Sequence, residues 1–166
     1  NASEDSAFSF QFAANSFADV DVGDTLTYTA TQADGSALPT WLTFTAATRT
    51  FSGTPLNGDV GVVSVKVTAT DSASASVSDT FDLTVANTND APTLSTVSTL
   101  TGASEDTGYT ISYADLAGAA NEADVDAGAV ISFRVQAVSS GTLTKGGAAV
   151  TAGVTLLGAG ESLVWT

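Results

Sequence analysis

The chain has 166 residues, 43% of them hydrophobic, and its 18 acidic and 4 basic side chains give a formal net charge of −14. This length fits one or two globular domains, and such a charge repels nucleic acids and anionic lipid surfaces. Cysteine and histidine are absent, which excludes disulfides, thiolate and imidazole metal sites, and catalysis by serine–histidine or cysteine–histidine pairs. The opening residues NASED suggest a piece of a longer protein, so we expect any targeting signal to lie outside it.

Short runs of alternating polarity predict β-strands along the first half of the chain. They cover residues 7–12, 25–31, 41–44, 62–70 and 77–85. Glycine, aspartate, asparagine and proline separate them, as turns require. Only residues 115–124 favour a helical turn. The pattern therefore predicts an all-β protein built of antiparallel β-sandwiches.

Two stretches of the first half return in the second half. SEDSAFSF at Ser3 is repeated as SEDTGYTI at Ser104, and ADVDVGDTLTYTAT at Ala18 as ADVDAGAVISFRVQ at Ala123. We predict two tandem modules, residues 1–88 and 89–166, joined by the linker sequence NTNDAPT. Module two contains no counterpart of residues 62–70 and 77–85. We expect it to be incomplete, with an exposed strand edge that a continuation or another chain could pair.

The stretch DVDVGDTL places three carboxylates close together without a nearby cation. On an extended chain Asp19 and Asp21 would point the same way and chelate one ion, with Asp24 closing the loop. Asp71, at the end of the strand VKVTATD, could join them. Aspartates also make solvated turns, but the second Asp-x-Asp at Asp124 and the scarcity of cations favour calcium.

The residues resemble cadherin repeats. NTNDAP is similar to a cadherin linker, and VTATD to a cadherin strand that ends in a calcium-binding aspartate. With DVDVGDTLTYTA, LPTWLTF, FSGTP, GDVGVVSVKVTATD and NDAP in order, the first module resembles the dystroglycan-type cadherin-like domain of large bacterial surface adhesins, including the RTX type. The second resembles a bacterial cadherin-like repeat over its first two-thirds. The resemblance implies tandem cadherin/Ig-like sandwiches.

The resemblance also implies Ca²⁺ ligands. A site at the linker would use Glu4, Asp59, Asn87, Asn89, Asp90, Asp124 and Asp126. A second cluster, of Asp19, Asp21 and Asp71, would lie at the opposite end of module one, and Glu105 would serve the far end of module two. The linker lacks the first aspartate and one asparagine usual in cadherins, which leaves the register of Asn89 and Asp90 open.

These residues predict a calcium-rigidified, extracellular module pair of a bacterial cell-surface adhesin. It would act in stalk extension or ligand binding for adhesion and biofilm formation. Its expected partners are neighbouring modules and a carbohydrate or peptide ligand, with no nucleic acid and no membrane insertion.

The alternative is a carbohydrate-binding module of a secreted polysaccharide-degrading protein. Its sugar-binding surface could consist of Trp41, Phe44 and Phe51, although such aromatic residues are usually buried in the core of a β-sandwich. We expect no enzyme activity, because the single Asp-Thr-Gly at Asp106 lacks the second carboxylate that an aspartic protease needs.

Overall fold

The computed structural model describes residues 1–21 and 23–166. The chain divides into two compact units, Asn1–Asn89 and Asp90–Thr166. Strands in several sheets dominate both, which confirms the predicted all-β, Ig-like sandwich class. None of the helices in the described ranges is long and apolar enough to cross a membrane.

In the described part of the first unit, seven strands form two sheets. They are β1 (Ala2–Ser3), β2 (Phe8–Gln11), β3 (Thr27–Gln32), β4 (Leu42–Thr45), β5 (Thr50–Gly53), β6 (Gly61–Thr70) and β7 (Ser76–Ala86). One sheet has the order β1-β7-β6-β3 and the other β2-β5-β4. Five of the strands coincide with the predicted runs, because alternation places their apolar side chains between the sheets.

The longest pairing, between antiparallel β6 and β7, sets the core of this unit. Val65 and Val67 of β6 are buried, as are Leu83 and Val85 of β7. From the facing sheet, Phe51 packs against them with 1% of its surface exposed. Alternate residues of β6 and β7 therefore face inward, as the sequence predicted.

Strands β1 and β5 were not predicted. β1 is two residues long and is defined by its parallel pairing with β7, where Ala2 lies opposite Val85 and Ser3 opposite Ala86. β5 contains a single apolar residue, Phe51, and ends at Gly53, so its sequence shows no alternation. β1 depends on its pairing with the distant β7, and β5 on pairing with both β2 and β4, so tertiary pairing outweighs local sequence preference in both.

The second unit has shorter strands. They are β8 (Tyr109–Ser112), β9 (Phe133–Arg134), β10 (Leu143–Lys145), β11 (Ala148–Ala149), β12 (Leu156–Leu157) and β13 (Ser162–Trp165). One sheet has the order β11-β10-β13-β8, and β12 pairs with β9 in a smaller sheet. Leu157 and Leu163 are its buried hydrophobic residues.

The predicted helical turn of the second unit is the helix α1, Tyr113–Ala119. It begins earlier than expected because Ser112 caps it. The hydroxyl of Ser112 accepts a hydrogen bond from the Asp115 N–H (3.1 Å), and the Asp115 carboxylate accepts the Ser112 N–H (2.8 Å). This reciprocal capping box satisfies two backbone donors at the helix start.

Candidate metal centre

Three carboxylates of the first unit lie together. Asp19, Asp24 and Asp71 each offer one oxygen, and these oxygens all lie within 4.8 Å of one another. Two come from the loop between β2 and β3, and the third follows the end of β6. The antiparallel pairing of β3 with β6, in which Thr27 lies opposite Thr70, brings the loop and the strand end to the same edge.

The loop is shaped by hydrogen bonds of its own aspartates. Oδ1 of Asp19 accepts the N–H of Asp21 at 2.8 Å, and the carbonyl of Asp21 accepts the N–H of Asp24 at 3.2 Å. Between them, Gly23 has a φ of +97°, a left-handed conformation that glycine adopts without steric cost. The chain turns at Gly23, and the carboxylates of Asp19 and Asp24 both lie close to that of Asp71.

Asp71 is held by a turn that follows β6. Its N–H donates to the carbonyl of Ala75 (3.0 Å), and its Oδ1 accepts the N–H of Ala75 (2.8 Å). The next residue, Ser72, donates its hydroxyl proton to Oδ1 of Asp24. This serine was not predicted as part of the site, since nothing in the sequence marks it.

The predicted chelate of Asp19 with Asp21 assumed an extended chain. Within the described residues, the carboxylate group at this loop contains Asp24 and does not include Asp21. Asp21 contributes its backbone N–H and carbonyl to the turn instead.

The cluster fits a calcium ion. Ca²⁺ takes oxygen ligands at about 2.3–2.6 Å, so two ligands on opposite sides of one ion are about 5 Å apart, and the three carboxylate oxygens are close enough together to reach one ion. A cavity of about 190 Å³ lies beside the cluster, with Asp19 and Asp71 in its lining. Three carboxylates so close together repel one another unless a cation is present.

Glu4 is a second carboxylate with the character of a ligand. It follows β1, its N–H donates to the carbonyl of Ala86 (3.0 Å), and its Oε1 accepts the N–H of Thr88 (2.5 Å). Its side chain is fully buried, and Oε2 has no hydrogen-bond partner among the described residues. A buried carboxylate with an unsatisfied oxygen is costly unless a cation compensates it.

The other predicted ligands of the first unit, Asp59, Asn87 and Asn89, lie outside the Asp19–Asp24–Asp71 cluster. Asp59 closes a short 3₁₀ turn, Asn57–Asp59, and its Oδ2 accepts the N–H of Leu56 at 2.9 Å. Asn87 and Asn89 are exposed in the segment after β7.

In the second unit, Asp124 and Asp126 form a loop of their own. Oδ1 of Asp124 accepts the N–H of Asp126 at 2.9 Å, and Oδ2 of Asp126 accepts the N–H of Asp90 at 2.7 Å. Glu105 lies apart from them, exposed in the turn before β8.

The aromatic residues considered as a sugar-binding surface belong to the core instead. The Phe51 ring is buried and lies 4.5 Å from that of Phe44, and the Trp41 ring packs edge-on against Phe8 at 6.3 Å. All three contribute to one apolar cluster. Phe51 is fully buried, and Trp41 and Phe44 are half-buried against this cluster.

The comparison with curated proteins gave no match. The comparison with protein families matched residues 1–86 to the He_PIG family, described as "Putative Ig domain". The match spans β1–β7, the two-sheet sandwich that carries the Asp19–Asp24–Asp71 cluster. The chain therefore belongs to the He_PIG family of Ig-like domains.

Proposed function

We propose that this chain is a calcium-binding module pair of an extracellular bacterial surface adhesin, with a dystroglycan-type cadherin-like first module. It would extend a stalk or present a ligand-binding surface, and it would have no catalytic role. The observation that carries the proposal is the convergence of Asp19, Asp24 and Asp71. Asp71 is about 50 residues away from the loop that carries Asp19 and Asp24, so the folded sheet is what makes the three a candidate chelate.

Calcium at this cluster would act as a clamp. The ion supplies positive charge, which offsets the repulsion among the three carboxylates. The aspartates hold it between the loop after β2 and the turn after β6. A ligand that binds only the folded state stabilises that state, so filling the site would fix this end of the sandwich.

The expected affinity supports an extracellular location. Extracellular calcium modules typically bind with dissociation constants of about 10⁻⁴ to 10⁻³ M, concentrations that cytosol does not supply. The net charge of −14 also favours a protein that works in the presence of divalent cations, which reduce self-repulsion.

Glu4 extends the proposal to the linker end of the first unit. Its buried, unpartnered Oε2 offers one anionic ligand there. In the second unit, Asp124 and Asp126 offer further carboxylates. The bridging role that the cadherin resemblance implies for these residues remains a prediction, as does a role for Asn87, Asn89 and Asp90.

A thermal melt tests the proposal at the aspartate cluster. A Trp165→Phe background leaves Trp41 as the fluorescent reporter of the first unit. Calcium at about ten times its dissociation constant should stabilise this unit by roughly 1.4 kcal/mol, or about 5–10 °C. The double variant Asp24→Asn/Asp71→Asn should lose this rise.

Two controls separate binding from charge screening. The variant Asp79→Asn/Asp82→Asn removes the same number of charges from β7, outside the cluster, and should keep the calcium-dependent rise. Sodium chloride of equal ionic strength should reproduce only a small part of it. An equal rise in both double variants, or with sodium alone, would contradict a specific site.

A further inference from the structure

One carboxylate of the first unit stands on the inner face of its sheet. In the antiparallel pairing of β6 and β7, Asp79 lies directly opposite Val67, and residues in such pairs share one face of a sheet. Val67 is 4% exposed and belongs to the core. Asp79 therefore shares the face of Phe81, Leu83 and Val85, and it lies at the exposed end of that face.

Asp79 lines a cleft whose other walls are largely aromatic. The cleft has a volume of about 270 Å³, with Val67 and four phenylalanines, Phe10, Phe12, Phe17 and Phe81, among its lining residues. Phe10 and Phe81 meet edge to face with ring centroids 5.9 Å apart, and so do Phe12 and Phe17. Phe10 is 43% exposed, so part of this aromatic surface faces solvent.

No cation of the described lining neutralises this carboxylate. The first unit has two basic residues, Arg49 and Lys66. Lys66 adjoins Val67 on β6 and so points to the opposite face of the sheet. Oδ1 of Asp79 accepts the N–H of its neighbour Thr80 (2.9 Å), which orients the carboxylate without cancelling its charge.

An inward charge can also protect a strand edge from unwanted pairing. β7 pairs with β1 only at Val85 and Ala86, so the edge near Asp79 is open on that side. That role requires a charge but no cavity lined by phenylalanine rings. The cleft and the charge together indicate a binding site.

We propose that this cleft binds a lysine side chain of a partner protein. The aliphatic stem would lie against the phenylalanine rings, as lysine stems do on apolar surfaces. The terminal ammonium would pair with Asp79 and gain cation–π attraction from the rings. The volume is just below the range of about 300–1,000 Å³ for drug-sized ligands, which suits a single side chain. The proposal is independent of calcium.

A model compound tests the proposal directly. N-acetyl-lysine-N-methylamide is titrated into the protein while the ring signals of the cleft phenylalanines and the Thr80 amide are followed by NMR. We expect these signals to shift together. The uncharged analogue N-acetyl-norleucine-N-methylamide should bind at least about tenfold more weakly, the equivalent of one ion pair with cation–π support.

Three variants decide whether the cleft is responsible. Asp79→Asn should weaken binding of the lysine compound about tenfold, and Phe10→Ala should also weaken it. Asp82→Asn, three residues along the same strand and hydrogen-bonded to Ser64 on the outer face, should leave binding unchanged. Circular dichroism melts show whether each variant is folded.

The proposal fails if the lysine and norleucine compounds bind equally, or if the ring signals do not respond. It also fails if Asp82→Asn weakens binding as much as Asp79→Asn, because the attraction would then be due to net charge alone.

Discussion

The two Asp-x-Asp loops share two hydrogen bonds but have different surroundings. In each, the first aspartate accepts the N–H of the second, from Asp21 to Asp19 (2.8 Å) and from Asp126 to Asp124 (2.9 Å). The carbonyl of the second then accepts an N–H three residues on, at 3.2 Å in both loops. The repeated sequence therefore encodes one turn, and the turn alone does not make a metal centre.

The difference lies in the residue that closes each turn. In the first loop it is Asp24, which joins Asp19 and Asp71, whereas in the second it is Ala129. A residue at one position thus decides whether the loop can contribute a further carboxylate. Asp71 of the first unit also has no counterpart in the repeated stretches of the second.

The Ser-Glu-Asp turns differ in the same way. Asp5 and Asp106 both adopt left-handed conformations, with φ of 56° and 60°, so the turn is repeated. Glu4 is buried beside Ala86 and Thr88, whereas Glu105 is exposed. A neighbouring strand, and not the local sequence, turns the glutamate into a buried ligand candidate.

Glycine substitution tests whether the two loops are the same turn. Gly23→Ala and Gly128→Ala place an alanine at φ of +97° and +81°, with no atom within 4 Å of the added Cβ. Each should cost about 1–2 kcal/mol from backbone strain alone. Urea unfolding of each variant measures this cost. A much smaller loss in one loop would contradict the shared geometry.

Converting the first loop to resemble the second is the next largest test. Asp24→Ala should remove most of the roughly 1.4 kcal/mol that calcium contributes at ten times its dissociation constant. It should change stability little in chelator, because one source of repulsion is lost with the ligand. The reverse change, Ala129→Asp, should leave the calcium-dependent rise as it is in the unaltered protein, because no counterpart of Asp71 is present. A larger rise in Ala129→Asp would show that the loop alone binds the ion.

The two glutamates should respond differently to loss of charge. Glu4→Gln keeps an oxygen for the Thr88 N–H and removes a buried charge, so in chelator it should raise stability by about 1 kcal/mol. Glu105→Gln, at an exposed position, should change it by less than about 0.5 kcal/mol. Chemical denaturation in chelator measures both. A loss of stability in Glu4→Gln would mean that the carboxylate is compensated without metal.

The smallest effect is a pH dependence common to both units. Hydrogen bonds from the hydroxyl and N–H of Ser36 lower the pKa of Asp34, and those of Ser112 lower the pKa of Asp115, from a usual value of 3.8. A carboxyl group whose pKa is lower in the folded than in the unfolded state stabilises the protein at pH values above its unfolded-state pKa. This stabilising contribution is lost as the pH falls through the folded-state pKa. Ser36→Ala and Ser112→Ala should weaken the loss of stability below about pH 4. Denaturation midpoints at pH 6 and pH 3 measure it.

The sequence predicted the strands whose alternation is set by a buried face. β6 and β7 are examples, since every second residue from Val65 to Ala69 and from Leu83 to Val85 is buried. It also identified Asp19, Asp24 and Asp71 as candidate ligands. Their grouping was less predictable, because Oδ1 of Asp19 accepts the N–H of Asp21 and the segment does not have the extended geometry on which pairing Asp19 with Asp21 relied.

The later strands of the second unit went unpredicted, although one signal was present. Gly146 and Gly147 join β10 to β11 with φ of 58° and 82°, the two positive values that a tight hairpin turn requires. A Gly-Gly pair between short runs indicates such a hairpin. Exposure of the side chains in β11 removed the alternation that would have supported it.

The parallel pairing of β1 with β7 has a mechanical consequence. Tension applied through the residues before β1 and after β7 would pull these strands along their length in opposite directions. The β1–β7 ladder, with the Glu4 N–H bond to Ala86, would then be loaded in shear, so its bonds would share the force and break together. Under such tension the Ig-like unit would resist stretching at the strands that connect it to neighbouring residues.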